Sequence, residues 1–333
     1  MERKRYVQVA AVVIAILILG AAFYNYVYVP SLPRELMKFR YVAPVPLKDG
    51  FWEMAYANDT GIFREEGLEV EVIILRTPTE VAQTLLSGDA DGIGTVDTAL
   101  SAYLAGAEQI RVVNVQMRPS FALWVKPEVN SIQDVKSVAV PGRGSAADFM
   151  TRKYLLKHGL EPDVDVSIQY LAITTMLPAF LAGQVDATAG GVSSYPLMRD
   201  GKGKILFQFA AEFPQWTQSG LVVTQKTITE RPELVKAFVR AQYRSMVALI
   251  QNKEKAIEYA VNVLGIEKDY ATFVYDFAYT GKYGAATKMI PAMPLEDLEY
   301  TMGVEAEMMN VQAKPIQGCV DTTFIDQVKK ELG

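Results

Sequence analysis

The sequence predicts an α/β chain folded as two lobes with a cleft between them, behind an N-terminal apolar helix. Three observations predict it. The order strand, loop, helix, strand, loop, helix, strand occurs twice along the body. The stretch Leu85-Leu86-Ser87-Gly88-Asp89-Ala90-Asp91-Gly92 returns 95 residues later as Phe180-Leu181-Ala182-Gly183-Gln184-Val185-Asp186-Ala187. Ahead of both, Tyr6–Val29 runs for 24 residues without a charge.

That first segment sets the compartment. As a helix it is about 36 Å long, enough to cross a hydrocarbon core of about 30 Å. Arg3, Lys4 and Arg5 outweigh Glu2, so the positive-inside rule puts Met1–Arg5 in the cytoplasm. Phe23, Tyr24, Tyr26 and Tyr28 stand at the far end, where an aromatic belt belongs. Gly20-Ala21-Ala22 also offers a cleavage site after Ala22, so residues 1–29 read as a membrane anchor or a signal segment. Either reading exports the rest of the chain. Residues 30–38, opening with Pro30-Ser31-Leu32-Pro33, read as a short stiff linker.

In the first half of the body, Phe39–Val45 reads as a strand and Phe51–Asn58 as a helix. Glu69–Leu75 alternates acidic and branched apolar residues, the period of a strand. Thr77 caps the next helix, with Pro78 at its first position and Glu80 at its third. Gly92–Val96 is a strand and Thr98–Ala105 a helix. The second half repeats this with strands at Val138–Pro141, Asp165–Leu171 and Ala187–Gly190, and helices at Ala146–Lys157 and Thr175–Leu181. Gly88 and Gly183 end equivalent helices where a positive φ is needed. Alternating strands and helices imply mostly parallel sheets covered on both faces, with ligands beyond the carboxyl ends of the strands. From Thr229 onward the pattern is helical only, in segments reaching Lys330.

Composition removes other classes. The chain has 333 residues, a net charge of −5, one His and one Cys. A nucleic-acid footprint needs a basic face. One cysteine allows no internal disulfide and no Cys-rich zinc site. His158 and Cys319 read as a helix-end residue and an inert thiol. Gly201-Lys202-Gly203-Lys204 lacks P-loop spacing and reads as a turn.

The body resembles the nitrate, sulfonate and taurine binding family of ABC-importer solute-binding proteins, which shares its fold with thiamine-pyrimidine-precursor proteins. Ala57-Asn58-Asp59-Thr60-Gly61-Ile62-Phe63-Arg64-Glu65-Glu66-Gly67-Leu68-Glu69-Val70 is similar to that family's first run. Leu86-Ser87-Gly88-Asp89-Ala90-Asp91, Ser131–Lys136 followed by Val138–Pro141, and Asp321-Thr322-Thr323-Phe324-Ile325 follow in the family's order. The resemblance implies a two-lobed type II periplasmic-binding-protein fold. It assigns residues 39–122 and 222–333, with the helical tail, to the first lobe, and residues 123–221 to the second. It sets a hinge at crossing strands near Phe121–Val125 and Gly220–Thr224.

On that fold, Pro46–Phe51, Arg76–Pro78, Gly94–Asp97, Gly142–Ser145 and Gly190–Ser194 face the cleft, each leading into a helix whose free N–H groups suit an anion. Candidate cationic donors are Lys48, Arg76, Arg118 and Arg143; candidate aromatic walls are Phe51, Trp52, Tyr195 and Trp216. Thr77, Thr95, Asp97, Gly142, Gly144, Ser145, Thr174, Gly191 and Ser193 complete the candidate ligand-binding set. The expected function is extracytoplasmic capture of a small organic anion for an ABC permease, by a monomer without cofactor or catalysis. The alternatives are a neutral aromatic or pyrimidine-type solute, an extracytoplasmic sensor, and, less favoured, a pyrimidine-precursor synthase.

Overall fold

The computed structural model describes residues 35–333 except 44–45, 76, 118 and 281–291, and, of the N-terminal segment, the helical residues 16, 19 and 20. Most of the apolar run 6–29 therefore lies outside the described residues. Among the described residues no helix is long and apolar enough to cross a membrane.

The first half folds as β1 (Met37–Ala43), α1 (Trp52–Asp59), α2 (Ile62–Glu65), β2 (Leu68–Ile74), α3 (Pro78–Ser87), β3 (Gly92–Thr95), α4 (Val96–Leu104) and β4 (Ile110–Met117). The second folds as β5 (Phe121–Val125), β6 (Ser137–Val140), α5 (Ala146–Lys157), β7 (Ser167–Tyr170), α6 (Ile173–Leu181), β8 (Ala187–Gly191), α7 (Tyr195–Arg199), β9 (Lys204–Gln208) and α8 (Phe209–Glu212). Then come β10 (Ser219–Thr224), α9 (Gln225–Glu230), α10 (Pro232–Gln251), α11 (Lys253–Asn262), α12 (Lys268–Val274), α13 (Leu295–Met309) and α14 (Thr323–Leu332). A π-helical turn, Tyr275–Tyr279, continues α12.

Two five-stranded sheets result, ordered β2-β1-β3-β10-β4 and β7-β6-β8-β5-β9. Their plans match. In each, three strands pair in parallel and the fourth in spatial order runs antiparallel. That antiparallel strand is contributed across the lobe boundary. β5 enters the second sheet directly from the first lobe, and β10 returns from the second lobe into the middle of the first sheet. The strand Phe121–Val125 lies wholly in the second sheet, so the crossings include residues 119–120 and 213–218.

The internal echo has a physical cause. Gly88 and Gly183 take φ of 83° and 71°, which a side chain would strain. The following Asp ties the turn to β1 in the first sheet and to the start of β6 in the second. The Asp91 carboxylate accepts the Arg40 N–H at 2.8 Å, and Asp186 accepts the Lys136 N–H at 3.0 Å. Asp91 also receives Arg231 Nη1 at 2.8 Å, fixing the start of α10. The capping box predicted at Thr77 is present: its Oγ1 accepts the Glu80 N–H at 3.3 Å, and Glu80 Oε2 accepts the Thr77 N–H at 3.2 Å.

Each sheet is covered on both faces. α10 and α14 cover one face of the first sheet through Phe238, Val235, Phe324 and Val328. α11, α12 and the π turn instead share a core with Trp124, Met176, Phe180 and Leu197 of the second half. The helical tail thus does not pack with the first lobe alone, as the resemblance implies. The reason is its aromatic content: Phe273 lies 6.2 Å from Trp124 and 4.8 Å from Tyr195, ring to ring. β4 and β9, which the sequence pattern does not announce, complete the two sheets.

Candidate ligand-binding cleft

A cavity of about 540 Å³ opens between the two sheets. That volume suits a drug-sized organic molecule. The first lobe contributes Asp49–Phe51, Thr95 and Asp97; the crossing segments contribute Ser120, Phe121, Gln218 and Ser219. The second contributes Ser145–Ala147, the start of α6 through Ile173, Thr174, Met176, Leu177 and Pro178, and Thr188–Ser194. Gln218 holds the crossings together. Its Oε1 accepts the Ser120 N–H at 2.9 Å and its carbonyl accepts the Val96 N–H at 2.7 Å.

The strand-to-helix turns arrive here by local chemistry. Ser145 caps α5, its Oγ accepting the Asp148 N–H at 3.2 Å. The Asp148 carboxylate turns back and takes the Gly144 N–H at 2.8 Å, while the Ser145 N–H bonds the Gly142 carbonyl at 3.3 Å. These two N–H groups, expected to meet an anion, are therefore already spent inside the loop. The free first-turn donors at the cavity are those of Ala146 and Ala147.

Of the candidate residues, Phe51, Thr95, Asp97, Ser145, Thr174, Gly191 and Ser193 line the cavity. Gly142, Gly144 and Arg143 do not: the Arg143 side chain is exposed, its guanidinium 5.1 Å over the Tyr170 ring. Lys48 is exposed, and its carbonyl accepts Trp52 Nε1 at 2.9 Å. Trp52 is fully buried against Tyr279, centroids 5.6 Å apart, so it is core and not a wall. Tyr195 stacks on Tyr270 at 5.5 Å outside the lining. Trp216 is fully buried in the core of the second half. Thr77 is occupied as a helix cap. Arg76 and Arg118 lie outside the described residues.

Sequence reasoning missed most of the apolar wall. Ile173, Met176 and Leu177 come from α6, whose nine residues carry no charge; the sequence reading takes Thr175–Leu181 only as a helix of the fold. Gln218 and Ser120 sit in the crossings, which carry no motif.

The charge of the lining is one-sided. Its ionisable groups among the described residues are Asp49 and Asp97, and no lysine or arginine joins them. Burial raises the Asp49 pKa, with Lys48 and a hydrogen bond from Tyr270 opposing the shift. Burial pushes Asp97 up to about 7, with the Thr98 hydrogen bonds and the neighbouring Trp216 indole opposing the shift. Behind it, burial first and the Asp97 charge second raise Glu305 well above the carboxylate range. Glu305 receives Ser101 Oγ at 2.8 Å, one turn along α4 from Asp97.

Two mixed sheets joined by exchanged crossing strands, with an inter-lobe cavity at the helix starts, define a two-lobed periplasmic-binding-type protein. Residues 50–256 match the family described as NMT1/THI5 like, and the chain belongs to it. The resemblance read from the sequence holds at the level of family and fold. The riboflavin-binding protein RibY of Chloroflexus aurantiacus is 24% identical over 244 residues, 71% of this chain and 68% of RibY. The periplasmic aliphatic sulphonate binding protein SsuA of Escherichia coli superposes with a TM-score of 0.69 at 17% identity, over 86% of this chain and 92% of its own. The periplasmic nitrate-binding protein NrtA of Synechocystis gives 0.68 at 12% identity, over 90% and 89%. The solved relatives share the fold, and they are solute-binding proteins.

Proposed function

We propose that the chain is the extracytoplasmic solute-binding component of an ABC importer, and that its solute is an uncharged heteroaromatic molecule. The observation that carries this is the lining: a largely apolar cavity of about 540 Å³ whose ionisable groups, among the described residues, are two carboxylates. A small anion would meet negative charge in a site of low polarity, which costs affinity. A flat ring system would meet Phe51, Phe121, Ile173 and Leu177. Burying about 200 Å² of ring surface contributes about 5 kcal/mol. Micromolar binding needs about 8 kcal/mol net, and a few hydrogen bonds of about 1 kcal/mol each extend the sum toward it. RibY, whose name assigns it riboflavin, supports the same class.

In this reading residues 6–29 hold the protein at the outer face of the membrane, or are removed by cleavage after Ala22. The lobes close on the solute by bending at residues 119–120 and 213–218, and the closed monomer docks on a permease. The test is a thermal-shift screen of riboflavin, an aminopyrimidine, an alkanesulfonate, taurine and nitrate. Ligand binding to the native state raises the melting temperature. A rise with a ring compound is expected. A rise with the sulfonate or nitrate, and none with the rings, would return the site to an anion held by Arg76 or Arg118.

A further inference from the structure

Three side chains of the cavity carry polar atoms with no hydrogen-bond partner among the described residues. Thr95 at the end of β3 and Thr188 on β8 are 7% and 1% exposed, and both line the cavity. Neither hydroxyl has a hydrogen-bond partner among the described residues. Asp97 is 6% exposed and lines the same cavity. Its Oδ1 accepts the Thr98 N–H at 2.6 Å and Thr98 Oγ1 at 3.4 Å, while Oδ2 has no hydrogen bond among the described residues. Buried polar groups without partners are costly, and a native site keeps them where a ligand supplies the missing half.

Resting on the heteroaromatic reading above, we propose that Asp97, Thr95 and Thr188 form the specificity set of the cleft and recognise a lactam or imide edge. Asp97 Oδ2 accepts a ring N–H. The threonine hydroxyls, one from each lobe, rotate from positions just beneath the cavity surface to donate to ring carbonyls beside it. This division follows from inventory at a pH above about 7, where Asp97 is ionised: a carboxylate only accepts, whereas a hydroxyl can donate. A ring N–H flanked by two carbonyls satisfies all three, a lactam satisfies two, and bridging Thr95 to Thr188 joins the lobes. An aromatic solute without such an edge leaves the three groups unpaired and is rejected.

Riboflavin and its 3-methyl derivative separate the possibilities, because the methyl group removes the imide N–H and leaves the rings intact. Flavin fluorescence gives both affinities. The native chain should bind riboflavin about 10- to 100-fold more tightly than the methylated ring, the range of one charge-assisted hydrogen bond. D97A should abolish that preference, weakening riboflavin while recovering the methylated ring. T188V should weaken both rings by a similar factor, because it removes a carbonyl contact they share. Equal affinity of the native chain for the two rings would overturn the specificity set and leave the heteroaromatic function standing. Binding of neither ring would overturn both. The two ligands on the native protein decide the matter even if a variant fails to fold.

Discussion

The Tyr270 hydroxyl of α12 donates to Asp49 Oδ1 at 3.3 Å, and the same ring stacks on Tyr195 at 5.5 Å. Asp49 belongs to the cleft loop of the first half and Tyr195 opens α7 of the second. A helix of the tail therefore touches both walls of the cavity mouth. Tyr270→Phe should lose only the hydrogen bond, about 1 kcal/mol or less. Tyr270→Ala should cost about 1–2 kcal/mol, because the ring contact goes too. Only the alanine variant should show a larger radius in small-angle scattering without ligand. An unchanged radius would mean that α12 does not restrain the lobes.

Arg143→Ala should leave the dissociation constant of a cleft ligand within about twofold, since the guanidinium rests on Tyr170 outside the lining. A loss of 30-fold or more, about 2 kcal/mol, would instead bring Arg143 into the closed site. Calorimetric titration of the native chain and the variant measures it.

Leu177→Asp should abolish ring binding with little change in melting temperature. Leu177 is half-buried on the cavity side of α6, so the new carboxylate stays hydrated in the empty cleft and is desolvated only when a ring enters. Retained binding would place the ligand elsewhere.

Stability should fall as pH rises from about 4 to about 7 and level off above. Burial pushes Glu53 and Asp97 each up to about 7 in the folded chain, while the unfolded carboxylates titrate near 4. Between these values the folded state holds more protons than the unfolded one, so the slope of stability against pH is negative. The stabilisation is complete below the unfolded pKa and is lost as pH passes the folded one. Glu53 receives the Tyr279 hydroxyl at 3.1 Å, which lowers its pKa but does not offset burial. Glu53→Gln should flatten the melting curve against pH and raise stability at pH 8 by up to about 3 kcal/mol. An unaltered pH dependence in this variant would remove Glu53 as a cause.

Thr77→Ala should cost about 1 kcal/mol of stability, through the lost cap of α3, and leave ligand affinity unchanged. Denaturant titration and fluorescence binding on the same sample test both halves.

The fold was legible because its signals are local. The Gly88 and Gly183 turns, the Thr77 cap and the alternating strand at β2 are each set within a few residues of sequence. The site was legible only where a loop leads directly into a helix, as at Thr95, Asp97 and Ser145. Arg143 misled because a Gly-Arg-Gly-Ser loop fits an anion by composition, whereas its N–H groups close on Asp148 and Gly142 and its side chain finds Tyr170. Trp52 and Trp216 misled because an aromatic beside a loop reads the same whether it faces the cavity or the core. Long-range packing decides that, as it decides that α11 and α12 cover the second sheet.

The return of β10 into the first sheet carries a consequence in time. The hydrogen-bond ladder of the second sheet draws on residues 121–208 alone. The first sheet stays divided until Ser219–Thr224 arrives to bridge β3 and β4. Closing a loop of about a hundred residues costs about 2 kcal/mol more than closing one of ten. The lobe that comes later in the chain should therefore acquire its ladder earlier during refolding. Pulse-labelled amide exchange would show β6, β7 and β8 protected before β3 and β4, and the reverse order would refute this sequence of events. A chain emerging from a translocation pore would meet the same constraint, with β4 and the open edge of β3 waiting unpaired until more than half of the protein has crossed.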